Sequence, residues 1–336
     1  MNQTTNPFPF DFVIPIFQPR WNTQAVLEGL TRHYQPRSIQ LITPASQVTT
    51  LTTLAEKMET APLVIHNEDH FFETRWGLSK AAICDCLDLG QSLYNPGWFY
   101  QQLLKLGAAD GIPGLSEWYY VWDSDLLPVA TWPAFRDKVP SFALLQHNQY
   151  GNPKIVGAWE TWIRTILQVE PLTDSVGTLV SHHMWFSQSH LASFQTQLGD
   201  YYQSDDSWLL LMMRSANDFG TFSEYWAYIS WVAATHPEDV SFYAYGDYGE
   251  TTERFFDDGT GLFSKALKAH LSIDESVSSA AEFSPNYDQV SQFIDQAYGD
   301  DLRPSSITFE SSLRHLKKNP ETMHIEESRS RWNPRR

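Results

Sequence analysis

Along the first 130 residues, apolar runs alternate with segments whose apolar positions recur at helical spacing. "DFVIPIF" (11–17) is continuously apolar and is followed by Pro19, the pattern of a strand buried on both faces. "NTQAVLEGLTRHY" (22–34) has helical periodicity, with Asn22 or Thr23 as its cap. The series then repeats: a strand over 38–45, a weaker helix over 49–60, a strand over 62–69, a helix over 97–110 that stops at Gly111, and the strand "WYYVW" over 118–122. Strands alternating with helices at this spacing predict an α/β fold, an open and mostly parallel sheet flanked by helices. Ligands of such sheets bind beyond the carboxyl ends of the strands.

The second half is less regular. A strand is predicted over 177–186, helices over 187–198 and 223–236 (the latter capped by Ser223), and 207–216 is a long apolar stretch. Residues 243–261 are rich in glycine, aromatics and charge without periodicity, which predicts a mobile loop. From Arg303 the balance changes, with eight Lys/Arg against four Asp/Glu over 303–336. That segment reads as a surface helix and a poorly ordered basic tail, leaving 1–302 as the folded domain. No internal repeat or low-complexity block is visible.

Composition narrows the function classes. Of 336 residues, 42% are hydrophobic and 19% charged, the profile of a soluble globular protein. A net charge of −17 argues against nucleic acid as partner and against a broad footprint on anionic membranes. Such a chain can still hold a small anion if a bound cation reverses the local field. The two cysteines, Cys84 and Cys86, are too few and too close for a disulfide framework. The start has no basic region followed by an apolar stretch, and no window reaches the length of a transmembrane segment. The reading is of a reduced, cytoplasmic protein, with peripheral membrane contact through the basic tail left open.

Candidate chemistry centres on "WYYVWDSDLLP" (118–128), where Asp123 and Asp125 leave an apolar strand with one serine between them. Residues two apart on an extended segment point to the same side, so both carboxylates can face one ligand. A divalent cation favours both in ionised form, and oxygen ligation suits Mn²⁺ or Mg²⁺. The plain alternative is a strand-end turn with solvated aspartates. A haloacid-dehalogenase-type phosphatase also has two aspartates after a strand. It normally has Thr or Val two positions past the second, on its first strand; here Leu126-Leu127 follow a later one. Glu224, beside the cap Ser223, sits where a helix dipole favours its ionised form, so it can serve as general base or merely as a stabilising helix start. Asp218 is the fallback base. His182 and His183 fall on opposite faces of a strand and cannot share one metal; His183 is the candidate to orient an acceptor. In "HNEDH" (66–70), Glu68 and Asp69 are candidate acceptors for ligand hydroxyls. Lys105 and Arg254 are candidate diphosphate contacts, against the plainer reading of solvated charges. The 13 tryptophans offer stacking platforms, though most such rings are core.

Four blocks, "GWFYQQLLKL", "YYVWDSDLLPV", "HHMWF" and "FGTFSEYWAY", resemble in order those of an uncharacterised family of nucleotide-sugar transferases with the GT-A fold, over residues 10 to 265. The resemblance implies a nucleoside-diphosphate-sugar donor and a divalent metal on Asp123 and Asp125. It implies that Gln101, Gln102 and Lys105 border the nucleotide, and that Glu224 occupies the place of the catalytic carboxylate in many inverting enzymes. The order here is Ser-Glu-Tyr rather than the commoner Glu-Asp pair. The expected reaction is metal-dependent, inverting glycosyl transfer to a hydroxyl, with the 243–261 loop closing over the donor and a glycan or lipid-linked acceptor. Two other readings stand beside it: a catalytically silent sugar-nucleotide-binding module, and a nucleotidyltransferase. The last would normally carry a glycine-rich basic loop after its first strand, where this chain has "QPRWN".

Overall fold

The computed structural model describes residues 6–89, 95–146, 153–172, 177–178, 181–244, 252–257, 259, 261–277, 280, 282–299 and 303–310. Among these, the strands are β1 (Asp11–Pro15), β2 (Ser38–Thr43), β3 (Leu63–Asn67), β4 (Trp118–Trp122), β5 (Leu126–Pro128), β6 (Phe135–Arg136), β7 (Val139–Gln146), β8 (Gly177–Thr178), β9 (His183–Ser187), β10 (Ser241–Ala244), β11 (Thr252–Phe256) and β12 (Ser306–Glu310). The helices are α1 (Thr23–Tyr34), α2 (Ala45–Ala55), α3 (Glu73–Trp76), α4 (Lys80–Cys86), α5 (Pro96–Leu106), α6 (Ala108–Gly111), α7 (Pro153–Trp162), α8 (Gln188–Tyr202), α9 (Trp208–Phe219), α10 (Glu224–Thr235), α11 (Leu262–His270) and α12 (Tyr287–Tyr298).

The central sheet has the order β3-β2-β1-β4-β9. Its first four strands are parallel, and β9 runs antiparallel to β4. The mostly parallel α/β architecture read from the sequence is therefore present. β1 is buried at every position, as its unbroken apolar run requires. From β1 the chain winds outward to β2 and β3, then returns to lay β4 on the other side. The strand order thus reverses between β1 and β4, the place where open sheets of this kind form a ligand crevice. Aromatic rings pack one face, with Tyr120 stacked on Trp185 at 4.3 Å and on Phe12 at 5.4 Å.

Smaller sheets complete the molecule: β10-β7-β6 with β8 beside β7, and β11-β12-β5. α1 approaches α12 so closely at Gly29 that a Cβ there would lie 2.8 Å from the Tyr287 ring. No helix among the described residues is long and apolar enough to cross a membrane.

Several segments differ from the sequence reading. α2 begins four residues early because Asp69 Oδ2 accepts the Ala45 N–H at 3.0 Å, a cap from a distant segment that local pattern does not show. The predicted strand over 177–186 is two strands in two sheets, β8 on β7 and β9 on β4. Before β9, His182 takes φ +60°, which breaks the extended run. The segment predicted as a mobile loop over 243–261 contains β11, parallel to β12; residues 245–251, 258 and 260 lie outside the described residues. The tail reading is corrected for residues 306–310, which form β12 between β11 and β5. Ile307 and Phe309 are fully buried there, and the count of basic residues, dominated by the far end of the segment, hides this strand. Residues 311–336 lie outside the described residues.

Phe309 packs against Trp21, Phe255 and Phe263. Phe309→Ala is expected to lower unfolding free energy by about 3–5 kcal/mol, measured by urea denaturation; a loss below about 1 kcal/mol would make β12 peripheral to the core.

Candidate functional site

The turn after β4 is fixed by the backbone from three sides. Asp123 N–H donates to the His182 carbonyl at 2.8 Å, Leu126 N–H to the Asp123 carbonyl at 3.1 Å, and Phe309 N–H to the Asp125 carbonyl at 2.9 Å. The Trp122 indole donates to the Leu126 carbonyl at 2.7 Å. The acidic turn is therefore clamped between the central sheet and the β5–β12 pair, at the carboxyl edge where the strand order reverses.

Each Asp123 oxygen has its own partners. Oδ1 accepts from Lys105 Nζ at 2.8 Å and from Tyr225 Oη at 2.9 Å, while Oδ2 faces His182 Nδ1 at 3.2 Å. Lys105 Nζ also donates to Glu224 Oε1 at 2.9 Å and lies 4.4 Å from the centre of the Tyr225 ring. The Lys105 and Glu224 side chains are only 4% and 6% exposed. Local sequence explains the convergence: Ser223 caps α10 by accepting the Trp226 N–H, which presents Glu224 and Tyr225 in the first turn. Asn95 with Pro96 starts α5 in register to bury Lys105.

Burial alone would push the Lys105 ammonium down, but the Asp123 and Glu224 carboxylates outweigh it and hold its pKa well above the ordinary value. Asp123 shows the converse. Burial raises its carboxyl, and the Lys105 charge with the His182 contact pulls it far below the usual range. A depressed carboxylate contributes stability that is complete above its unfolded pKa, near 4, and is lost only as the pH falls through the folded value. The Tyr225 phenol is pushed up by burial and by the Asp123 charge, so it remains a donor.

Ligand atoms of Asp123, Asp125 and His182 all lie within 4.8 Å of one another. One imidazole and two carboxylates suit Mn²⁺ or Mg²⁺ with water completing the shell. Lys105 and Tyr225 orient Asp123 from behind, as outer partners of metal ligands do. The residues present fit a divalent cation.

The structure brings Asp123, Asp125, Lys105 and Glu224 together and leaves other candidates elsewhere. Lys105, expected to contact a diphosphate, is instead enclosed between two protein carboxylates. Glu224, expected as general base, is held by Lys105 and reaches a substrate proton only if that pair opens. His183 does not face the turn. It is 2% exposed, stacked on Trp122 at 4.8 Å with Nδ1 2.8 Å from Tyr120 Oη, and burial, with the nearby His182 charge, lowers its pKa to about 3. Strand alternation at β9 sends His183 into the core and leaves the preceding residue outside it. Asp218 is exposed on α9 and accepts from Tyr202 at 3.0 Å. Glu68 is buried beside Lys80, with its carboxyl raised by burial against the pull of that ammonium. Asp69 caps α2. Gln101 is half-buried, and Gln102 donates to the Trp98 carbonyl of its own helix while its buried Oε1 has no hydrogen-bond partner among the described residues. The side chain of Arg254, in β11, lies outside the described residues. Sequence reasoning missed His182 and Tyr225. The His-His pair signalled that one ring leaves the core, and Tyr225 stands beside Glu224 in the Ser-Glu-Tyr block.

Fold and site together define an α/β protein whose acidic, lysine-braced centre lies at the switch point of a parallel sheet. Residues 21–263 match the family of unknown function DUF6492, and the chain belongs to that family. Comparison with curated proteins gave no match. Among solved structures the chain is similar to the apo form of mouse xyloside xylosyltransferase 1, at 11% identity and a TM-score of 0.38, covering 70% of this chain and 85% of that one. It is also similar to 4-diphosphocytidyl-2C-methyl-D-erythritol synthase from Anaerococcus prevotii, at 8% identity and a TM-score of 0.29, covering 59% of this chain and 85% of that one. Likenesses of this depth carry nothing about activity.

Lys105→Met would leave two buried carboxylates facing each other without a cation. It is expected to cost about 3 kcal/mol by urea denaturation, and adding Glu224→Gln should recover part of the loss. A neutral single substitution would show that solvent already compensates the pair.

Proposed function

We propose that the chain is a metal-assisted glycosyltransferase that takes a nucleoside-diphosphate sugar as donor. The observation that carries this reading is the convergence of Asp123, Asp125 and His182 at the switch point of the sheet. The four-block resemblance to GT-A nucleotide-sugar transferases supports it. A divalent cation bound there would act as a Lewis acid, neutralising charge that develops on the departing diphosphate. Asp125 and His182 would hold it together with Asp123 Oδ2. Lys105 and Tyr225 keep Asp123 Oδ1 occupied, so the carboxylate presents its other oxygen in one orientation. In this reading Glu224 first serves as the counter-ion that seats Lys105, and a proton-accepting role follows only when the pair opens on substrate binding.

The charge around the turn favours a cation there. Lys105 is shared between Asp123 and Glu224, and Asp125 adds a carboxylate beside Asp123, so a diphosphate approaching the bare turn would meet like charge. A bound cation reverses that field.

Thermal unfolding with UDP, GDP, CMP or ADP, each with and without Mn²⁺, tests the reading on wild type and Asp125→Asn. Ligand at about a hundred times its dissociation constant adds about 2.7 kcal/mol. With an unfolding entropy of about 2.1 cal/mol/K per residue, that raises the midpoint by roughly 4 °C. The expected result is a rise for one nucleotide that requires Mn²⁺ and disappears in the variant. No rise with any nucleotide would end the donor-binding reading. Binding without transfer to any acceptor would instead favour a silent sugar-nucleotide-binding module.

A further inference from the structure

A second cluster of metal-ligating side chains lies at the other edge of the central sheet. β9 starts beside Asp123 and ends opposite Trp118, with Trp122 paired to His183 and Trp118 to Ser187. A strand of that length separates its ends by roughly 15 Å. Ser187 then caps α8, which places His190 in the first helical turn. His236 is the C-cap of α10, and the short turn Pro237–Asp239 brings Asp239 back against His190. His190 Nε2 lies 3.1 Å from Asp239 Oδ2, and the two imidazole rings are 4.5 Å apart and 14° from parallel.

We propose that His190, His236 and Asp239 form a divalent-cation site of the zinc-binding type, separate from the Asp123 centre. One ligand atom from each residue lies within 4.8 Å of the other two. Two imidazoles and one carboxylate are a ligand set suited to Zn²⁺, with water in the fourth position. The set is richer in nitrogen than the Asp123 centre, and imidazole favours zinc over magnesium or manganese. His190 is 6% exposed, and its buried Nδ1 has no hydrogen-bond partner among the described residues. Its Nε2, beside Asp239 Oδ2, is the nitrogen placed to ligate, and the Trp118 ring packs against the same imidazole at 5.1 Å. His236 and Asp239 are half-buried, which gives an ion a route in. Ring lone pairs lie in the ring plane, so stacked imidazoles cannot both point at one ion, and ligation would require the partly exposed His236 ring to turn out of the stack.

Such an ion would join the end of α10 to the beginning of α8. α10 has 12 residues, roughly 18 Å of helix, with Glu224 on Lys105 at its first turn and His236 at its last. Anchoring its far end would restrain the helix that carries Glu224 and Tyr225.

The test is calorimetric titration of the chelator-stripped full chain with Zn²⁺, and the visible absorption of bound Co²⁺, in wild type, His236→Ala, Asp239→Asn and Asp125→Asn. Asp125→Asn, which removes a ligand of the Asp123 centre, is expected to retain one Zn²⁺ at wild-type affinity, and in that background His236→Ala and Asp239→Asn are expected to bind it at least tenfold more weakly. The intense absorption of four-coordinate Co²⁺ should be present in Asp125→Asn and absent when either further substitution is added. Equal Zn²⁺ affinity in Asp125→Asn with and without each of these changes overturns the proposal. So does binding that Asp125→Asn abolishes and His236→Ala retains, because the ion then sits on the Asp123 centre. Metal-free melting of the variants checks that each folds, and Asp239, 45% exposed, provides the milder change.

Discussion

The ammonium of Lys105, enclosed between Asp123 and Glu224, is the contact around which the candidate site is built. It joins α5, the end of β4 and the start of α10, bringing together residues 119 apart in sequence. Removing charges from water costs several kcal/mol per ion, so this arrangement is a poor source of net stability. Its effect is geometric. With the ammonium seated and the Tyr225 hydroxyl beside it, one oxygen of Asp123 is committed to Lys105 and Tyr225 and the other is turned to His182.

Most of the parallel sheet was legible because its strands are buried on both faces, and apolar runs such as that of β1 admit few other readings. The Asp123-Ser124-Asp125 turn was legible for the complementary reason, since two carboxylates after such a strand need a partner. What escaped was set by distant contacts. The start of α2 depends on Asp69, and the split of the 177–186 run depends on pairing with two different sheets. Lys105 read as a diphosphate contact or a solvated charge because one lysine in an amphipathic helix gives no sign of the two carboxylates that will enclose it. His182 was hidden by the assumption of an unbroken strand; the left-handed backbone at that residue, unfavourable for a side chain with a Cβ, is what frees its ring to meet Asp123.

The C-terminal strand has a larger part in the centre than its composition implied. β12 pairs with β5, which begins at Leu126 immediately after the acidic turn, and Phe309 donates directly to the Asp125 carbonyl. Arg20, in the loop after β1, donates to the carbonyls of Phe309 and Asp257, tying the same strand to the carboxyl end of the parallel sheet. A segment that looks like an appendage thus closes the turn from the side opposite the central sheet.

These commitments also decide where positive charge for an anionic ligand can come from. Among the described residues, the ammonium of Lys105 is shared between Asp123 and Glu224 and that of Lys80 is paired with Glu68. At about 5 Å and an effective dielectric of about 20, each unit charge pair contributes about 3 kcal/mol. A diphosphate beside Asp123 and Glu224, which share the Lys105 ammonium, would meet like charge of that order. For the proposed function, a cation from solution at Asp123, Asp125 and His182 would offset the charge that Lys105, shared between Asp123 and Glu224, leaves uncompensated.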